Sequence, residues 1–567
     1  MSPLQFTRNV RSLNRLRQIA SVLTQHGFGH VVSRLHLARF VPVWMLRKGR
    51  VDKQPDGGPS LGRRLADVAA ELGPTFVKLG QMLTTRPDLI PESIIAGLKT
   101  LQDDVAPFDT ESARAIIREE LGGEIEDHFL SFGEHPIASG SIGQVYRAKD
   151  KSGAAVVVKV LRPGIESTIE LDVQLLKWLA ESLESMVPEM EAYRPVMVVQ
   201  EFERTLAREI DYINEASATA LIGEAFRDRP EIRVPQVHWE LTGARVLTLG
   251  QVEGVSVERM LTGDVPTGAQ FDRKLIARRL IEAYFDQVFE IGVFHADLHP
   301  GNILVDAPAT VGLIDFGQTG TITEEMTTQI IVMVFAGIGK EIDVVVDTLA
   351  EMGALSPSTS RRELSGALRT LLNKYYGLPL KRFDIGTLVS EFADVVRSHG
   401  VLLPREAVLL AKALGMVTGV AMRLDPDLDA LELIKPRLHR TLRNRLSPPK
   451  LARMAVVTGW HLLSILRTAP SNLREGLRRL AAGQWQLNVK HENIDRLAAE
   501  LDRSSNRLSF AVVIAAIIVG SSIVVSVDPE QTIAGIPVQL FGIVGYLVAG
   551  IFGLGLTWAI YRSGRLH

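Results

Sequence analysis

The 567-residue sequence contains no cysteine. Disulfides, thiolate catalysis and Cys-ligated zinc or iron–sulfur sites are therefore excluded. Histidines are scattered, and none is paired at the H-E-x-x-H spacing of a zinc hydrolase. A dominant charge sign is also missing. The 63 Lys and Arg nearly balance the 65 Asp and Glu, leaving a net charge of −2, so no nucleic-acid partner is expected. Residues 1–50 begin without a continuous apolar run, so no secretory signal is expected there. They also lack any acid while carrying Arg8, Arg11, Arg15, Arg17, Arg34, Arg39, Arg47 and Arg50. A mitochondrial transit peptide has that character, and so has an amphipathic helix on an anionic membrane. Residues 435–453 are acid-free too, with Lys435, Arg437, Arg440, Arg443, Arg445, Lys450 and Arg453. At this length one core does not suffice, and two to four domains are expected.

What is present begins with Val293–Gly317, VFHADLHPGNILVDAPATVGLIDFG. Asp297 and Asp315 flank Asn302, and short apolar runs follow the Asn and precede Asp315. The pattern reads as loop, strand, turn and a strand running into a carboxylate. That is the layout of a phosphoryl-transfer site. Asp297 is expected near the reacting hydroxyl or water, with Asn302 and Asp315 holding Mg²⁺ and Gly317 permitting a sharp turn. Mg²⁺ takes hard oxygen ligands and is commonly held by one or two protein groups plus phosphate oxygens.

Upstream, Pro136–Gly164 reads as a hairpin with a Ser152-Gly153 turn. Its small residues Ala138, Ser139, Gly140 and Ser141, followed by Ile142, Gly143, Gln144 and Val145, let backbone N–H groups approach phosphate. Lys159 closes the apolar run Ala154–Val158 and is placed to contact the phosphates. Such a lysine needs a carboxylate partner, and Glu209 and Glu215 in a helical stretch over 196–226 are both candidates. The stretch Gly73–Pro91 carries Lys78 and Gln81 at helical spacing, and by composition alone Lys78 reads as a snorkelling lysine. Asp109 is a plausible N-cap. Leu403–Pro426 reads as a buried helix, and further basic helices are expected to about Asn506.

Two charge-free apolar runs, Phe510–Val527 and Ile533–Tyr561, are each long enough to span a bilayer. Glycines in the second would let the pair pack closely. Arg503 and Arg507 precede them, Asp528 and Glu530 lie between, and Arg562 and Arg565 follow. By the positive-inside rule both ends, and the catalytic body, are cytoplasmic.

Together these motifs make the chain resemble the UbiB/ADCK (AarF) family of atypical protein-kinase-like proteins, bacterial UbiB branch, from about Leu61 onward. The resemblance rests on the KxGQ motif Lys78-Leu79-Gly80-Gln81, the ExD motif Glu209-Ile210-Asp211 and the small-residue loop Ala138-Ser139-Gly140-Ser141. The family loop is usually richer in alanine; Ser139 and Gly140 depart from it. The resemblance implies an α+β, bilobal protein-kinase-like fold with a helical N-terminal extension and a C-terminal two-helix transmembrane hairpin. The implied boundaries are a basic segment and linker (1–60), the KxGQ extension (61–125), an N-lobe (126–255), a C-lobe (256–440), a basic helical segment (441–507) and two membrane helices (508–562).

It further implies ATP and Mg²⁺ as cofactors, with Lys159 on the phosphates and Glu215 as its helix partner. Asp297 and Asn302 form the catalytic-loop pair, and Asp315 is the main metal ligand. Lys78 and Gln81 lie over the site near Glu209 and Asp211, covering the place where a protein kinase binds its peptide. The implied function is ATP hydrolysis or unorthodox phosphoryl transfer supporting ubiquinone biosynthesis at a bacterial inner membrane. Anionic lipid and prenylated quinone precursors, or the enzymes that handle them, are the implied partners. Two other functions fit part of the pattern. The His295–Asn302 loop also resembles that of aminoglycoside and choline kinases, which phosphorylate small molecules. A non-catalytic, nucleotide-gated scaffold is the other.

Overall fold

The computed structural model describes residues 10–35, 37, 60–84, 90–101, 106–186, 194–265, 270–356, 359–375, 385–429, 432–434, 436–438, 440, 494–526, 532–533 and 536–562. The linker over 51–59 and the basic helices expected between 441 and 493 lie outside them. The chain divides into two compact units, Met1–Ala452 and Arg453–His567.

The first unit has a small lobe built on one antiparallel sheet. Its strands are β1 (Phe129–Phe132), β2 (Ala138–Ser139), β3 (Gly143–Asp150) and β4 (Ala155–Leu161), completed after the short β5 (Ile232–Arg233) by β6 (Val246–Gly250). The order is β1-β3-β4-β6, with β2 paired to β3. The expected hairpin forms between β3 and β4. Asp150 Oδ1 accepts from the N–H groups of Ser152 and Ala154, and Gly153 takes φ +86°. Lys159 does not end its strand, which continues to Leu161 because Val160 and Leu161 are fully buried. Alternation sets the two faces. Val156, Val158 and Val160 pack with Tyr146 and Val246 beneath helix Thr110–Leu121. Burying each valine stabilises by about 1.5–3 kcal/mol. Lys159 projects to the other face.

Where one helix is expected over 196–226 there are two, Pro195–Glu209 and Tyr212–Ala225. The break lies at Asp211, whose Oδ1 accepts from Ile213 N at 3.0 Å and caps the second helix. Asp109 likewise caps Thr110–Leu121, accepting from Ser112 N at 2.8 Å.

In the large lobe β5 joins β7 (Val255–Ser256), β9 (Ile303–Asp306) and β10 (Thr310–Leu313) in the order β5-β10-β9-β7. The short β8 (Val293–His295) pairs with β11 (Thr319–Thr321). Helices Arg273–Asp286 and Arg405–Leu424 pack beside these strands, with Tyr284, Phe294, Leu313 and Val417 all fully buried in one core. The apolar composition of 403–426 is spent on that core.

The N-terminal helix Val10–Gln25 also spends its apolar face internally. Leu16, Ile19 and Val22 pack with Leu72 and Leu176, so this face is not left for a bilayer. Arg15 is likewise engaged: its Nε and Nη2 donate to Asp172 at 2.7 and 2.8 Å, and Nη2 also reaches Leu72 O. Arg437, from the second basic segment, donates to the buried Asp286 at 2.9 Å, which Arg229 pairs from another side. These two arginines serve the fold.

The second unit contains helices Ile494–Val525 and Val538–Arg562, packed together. A side chain at Gly542 would press on Val525 and Ser521, and one at Gly545 on Ser521. These two glycines permit the close approach; Gly550, Gly553 and Gly555 meet nothing there. Large apolar residues such as Val519, Leu547 and Leu554 face outward. Among the described residues three helices are long and apolar enough to cross a membrane: Arg405–Leu424, Leu508–Val525 and Val538–Trp558. That is one more than the expected pair, and the extra one is the large-lobe core helix.

Asp172 has a side chain 1% exposed. Removing its partner should strand a buried charge. Arg15→Met is expected to lower the stability of the first unit by about 3 kcal/mol in chemical denaturation. Arg15→Met/Asp172→Leu should recover most of the loss.

Candidate active site

The site is assembled from three side chains: a sheet lysine, a helix carboxylate and a loop carboxylate. Lys159 lies opposite Val145 on β3 and Leu247 on β6, so all three share one sheet face. Its Nζ donates to Glu215 Oε1 at 2.5 Å and to Asp315 Oδ1 at 2.7 Å. Of the two carboxylates left open by spacing, Glu215 is therefore the one on Lys159. Glu209 instead pairs with Lys78 Nζ at 2.6 Å. The helix break at Asp211 turns these two glutamates toward different lysines, and Asp211 itself serves as the cap.

Burial disfavours the Lys159 ammonium, yet the Asp315 and Glu215 carboxylates outweigh it and hold the lysine protonated. Burial pushes the Glu215 carboxyl up against the opposing pull of Lys159. Lys159 holds Asp315 well below the usual carboxylate range. Asp315 opens to the cleft, with a side chain 50% exposed. It adopts φ +62°, a left-handed conformation that Asp and Asn tolerate better than most residues. Gly317 leaves the carboxylates room: a Cβ there would lie 3.3 Å from Asp315 Oδ1 and 3.5 Å from Glu215 Oε2.

The loop from Asp297 to Asn302 is closed on itself. Asn302 Nδ2 donates to Asp297 O at 3.1 Å, while His299 N donates to the same carbonyl at 2.9 Å. His295 is fully buried, and the sequence carries no signal of its role beyond its place in the motif. Its Nδ1 lies 3.2 Å from Asp297 N, which donates to it, leaving Nε2–H to donate to Ile314 O at 3.0 Å. Burial lowers its pKa and keeps the ring neutral. One imidazole thus ties the Asp297 loop to the segment carrying Asp315. Lys412, also missed, donates to Asp297 Oδ1 at 3.0 Å.

The small-residue loop divides into two parts. Ala138, Ser139 and Gly140 lie at its open edge, with Gly140 N donating to Gly143 O at 2.8 Å in a tight turn. Arg162 braces the loop through Gly140 O at 3.2 Å. Ser141, Ile142 and Gln144 are buried. Ile142 packs in the apolar core, and Gln144 joins Tyr146 and Phe108 through hydrogen bonds of 2.6 and 3.2 Å. Their side chains are structural, so only their backbone is available to a ligand. Gly143 has no room for a side chain, since a Cβ would meet the Tyr212 hydroxyl and lie 2.6 Å from Val160 O.

Ser139 Oγ is buried without a hydrogen-bond partner, but Ser139 pairs with Gln144 and so lies on the sheet face away from Lys159. The donor chemistry of the site does fit a hard cation. Asp315 and Asn302 offer oxygen donors of the kind Mg²⁺ prefers. Beyond Asp297 lies a cavity of about 270 Å³, bordered by Lys78, Gln81, Glu209, Asp297, Arg405 and Lys412.

The ABC1 atypical kinase-like domain matches residues 100–349, the UbiB helical domain 368–429 and the ABC1/UbiB kinase-like C-terminal domain 492–562. A protein from Xylella fastidiosa (strain M23) named Probable protein kinase UbiB is 33% identical over 512 residues, 89% of this chain and 91% of that one. The chain belongs to the UbiB family. Another UbiB relative, from Pseudomonas putida, is 36% identical over 395 residues, covering 69% of this chain and 72% of its own. A Clostridium pasteurianum protein, "Uncharacterized protein in hydrogenase 1 5'region", is 27% identical across 98% of this chain and 100% of its own. The solved structure titled "The complex structure of Rv3197-erythromycin from Mycobacterium tuberculosis" has a TM-score of 0.45 and 22% identity, covering 65% of this chain and 93% of that one. That likeness is too low to carry an argument. The UbiB-family fold is thus a kinase-like mixture of helix and strand.

Gly143→Ala should cost about 1–3 kcal/mol by overpacking, read in chemical denaturation, because neither the Val160 carbonyl nor the wedged Tyr212 can retreat. A second expectation concerns acid. The stability that Asp315 contributes is full above the ordinary carboxylate pKa near 3.9 and is lost as pH falls toward its depressed folded value. In metal-free buffer the stability gap between wild type and Asp315→Asn should stay level above about pH 5 and shrink below about pH 4.

Proposed function

We propose that this UbiB-family chain is a membrane-bound, Mg²⁺- and ATP-dependent atypical kinase or ATPase that supports ubiquinone biosynthesis. The observation that carries the reading is Lys159 bridging Glu215 and Asp315, beside the Asp297–Asn302 loop. In this reading Lys159 neutralises phosphate charge and Glu215 fixes its direction. Asp315 and Asn302 would hold Mg²⁺. The backbone from Ala138 to Gly143 would border the phosphates. Bound Mg-ATP supplies the γ-phosphoryl: a water or hydroxyl oxygen bonds to phosphorus, the bond to the bridging oxygen breaks, and its electron pair leaves on ADP. Asp297 orients that oxygen and receives or relays its proton.

The helices Leu508–Val525 and Val538–Trp558 are proposed to cross the inner membrane as a hairpin. Arg405–Leu424 is not counted because Ala413, Val417 and Ala421 are fully buried in the large-lobe core. Arg503, Arg507, Arg562 and Arg565 favour a cytoplasmic catalytic body. A phosphoryl-transfer unit held there would meet prenylated quinone precursors, or the enzymes that carry them, at the lipid surface. The pair Lys78–Glu209 holds the KxGQ helix beside the cavity next to Asp297, which favours a restricted acceptor over an extended peptide.

The full chain with lipid should hydrolyse ATP, and Asp315→Asn should reduce turnover at least a hundredfold, by the scale of losing one charge-stabilising group. Asn keeps the left-handed backbone, so folding should be retained. Turnover unchanged in that variant would sink the assignment.

A further inference from the structure

The residues between Asp297 and Asn302 are Leu298, His299, Pro300 and Gly301, so this loop carries no permanent cation. Yet phosphoryl transfer brings negative charge to the side where Asp297 already carries one. Without a nearby cation the two repel. The other lysines of the site have carboxylates of their own: Lys159 binds Glu215 and Asp315, and Lys78 binds Glu209. The cation on Asp297 comes from elsewhere in the chain. Lys412 lies about midway along Arg405–Leu424, 115 residues downstream, and its Nζ is 3.0 Å from Asp297 Oδ1. An ammonium has three donors, of which Asp297 takes one. The lysine borders the 270 Å³ cavity, so it is on the open side of Asp297.

The helix holds that position from both sides. Leu410, Ala413 and Val417 are buried in the large-lobe core. Arg405, two turns earlier, donates from Nη2 to Thr205 Oγ1 at 2.9 Å and lies 3.4 Å from Glu201, on the helix that ends at Glu209 of the ExD motif. A lysine on a mobile surface helix would average over many rotamers. This one is set on a packed element, as a site group needs to be.

We infer that Lys412 is the positioning cation of the acceptor side. It fixes the Asp297 carboxylate and supplies the positive charge that the catalytic loop omits. The inference rests on the phosphoryl-transfer reading above. It also gives the helix Arg405–Leu424 a task beyond packing: the nucleotide half of the site is complete without it, and the acceptor half is not.

The test uses the full-length protein with lipid, as wild type, Lys412→Met, Lys412→Arg, Val417→Ala and Asp315→Asn. Two quantities are read: kcat for ATP, and affinity for a fluorescent ATP analogue with Mg²⁺. Lys412→Met is expected to lower kcat by roughly tenfold to a hundredfold, the range of one positioned charge, with analogue affinity within about twofold. Lys412→Arg should recover most of the rate by restoring the charge. Val417→Ala, which loosens the packing of the same helix without bordering the cavity, should stay within about threefold of wild type. Wild-type kcat in Lys412→Met overturns the inference. So does an equal loss of rate and affinity in Lys412→Met, Lys412→Arg and Val417→Ala, the mark of a helix that only packs. If wild type does not turn over ATP, or Asp315→Asn turns over as well as wild type, the phosphoryl-transfer reading itself fails and the inference falls with it.

Discussion

The Lys159 ammonium is the interaction on which the site depends. It draws together three segments distant in sequence: strand β4, the helix that starts at Tyr212, and the loop after β10. Each contributes something the others cannot. The sheet fixes the direction of the lysine, the helix gives a buried carboxylate, and the loop gives a half-open one. A lysine with one carboxylate would be a structural ion pair. With a second carboxylate turned to the cleft, it becomes a device that holds an acidic group ionised where a cation and phosphates can meet it. The left-handed backbone at Asp315 and the bare Gly317 are local costs that this arrangement offsets.

A second level of organisation covers the first. The KxGQ helix Pro74–Thr84 is held by Lys78 on Glu209, while the helix Arg405–Leu424 reaches Asp297 through Lys412. Cover and core helix therefore approach the acceptor side from opposite ends of the chain. The two charged contacts differ in burial only modestly, with side-chain exposures of 12% and 18% against 26% and 32%. Both are partly screened from water, and both border the same cavity.

Much of the site was legible because its chemistry is local. Asp297, Asn302 and Asp315 fall within one short stretch, and a lysine inside a valine run is conspicuous. The kinase-like fold class was implied by the family resemblance that the KxGQ motif, the ExD motif and the small-residue loop carry. What stayed hidden was long-range. Nothing in the pattern around Lys412 shows a partner 115 residues earlier, and on a largely apolar helix a lysine reads as a snorkelling side chain. Periodicity ran through 196–226 without a gap, because an Asp cap is as compatible with a helix interior as with a boundary until its backbone is seen. The same limit misassigned Arg15. A basic amphipathic helix looks alike whether its apolar face meets lipid or protein, and only Leu16, Ile19 and Val22 packed in the core decide it.

The Arg15–Asp172 pair has a mechanical consequence. Asp172 lies on the small-lobe helix Ile165–Met186, and Leu72, which Arg15 also grips, ends the helix that runs directly into the KxGQ segment. Cover and small lobe are riveted at that point and again at Lys78–Glu209. A hinge between the lobes would therefore swing the cover as part of the small lobe, away from Asp297 and Lys412 on the large one. Nucleotide entry and acceptor entry would share a single jaw, so that the door for one substrate could not open with the other's fully shut.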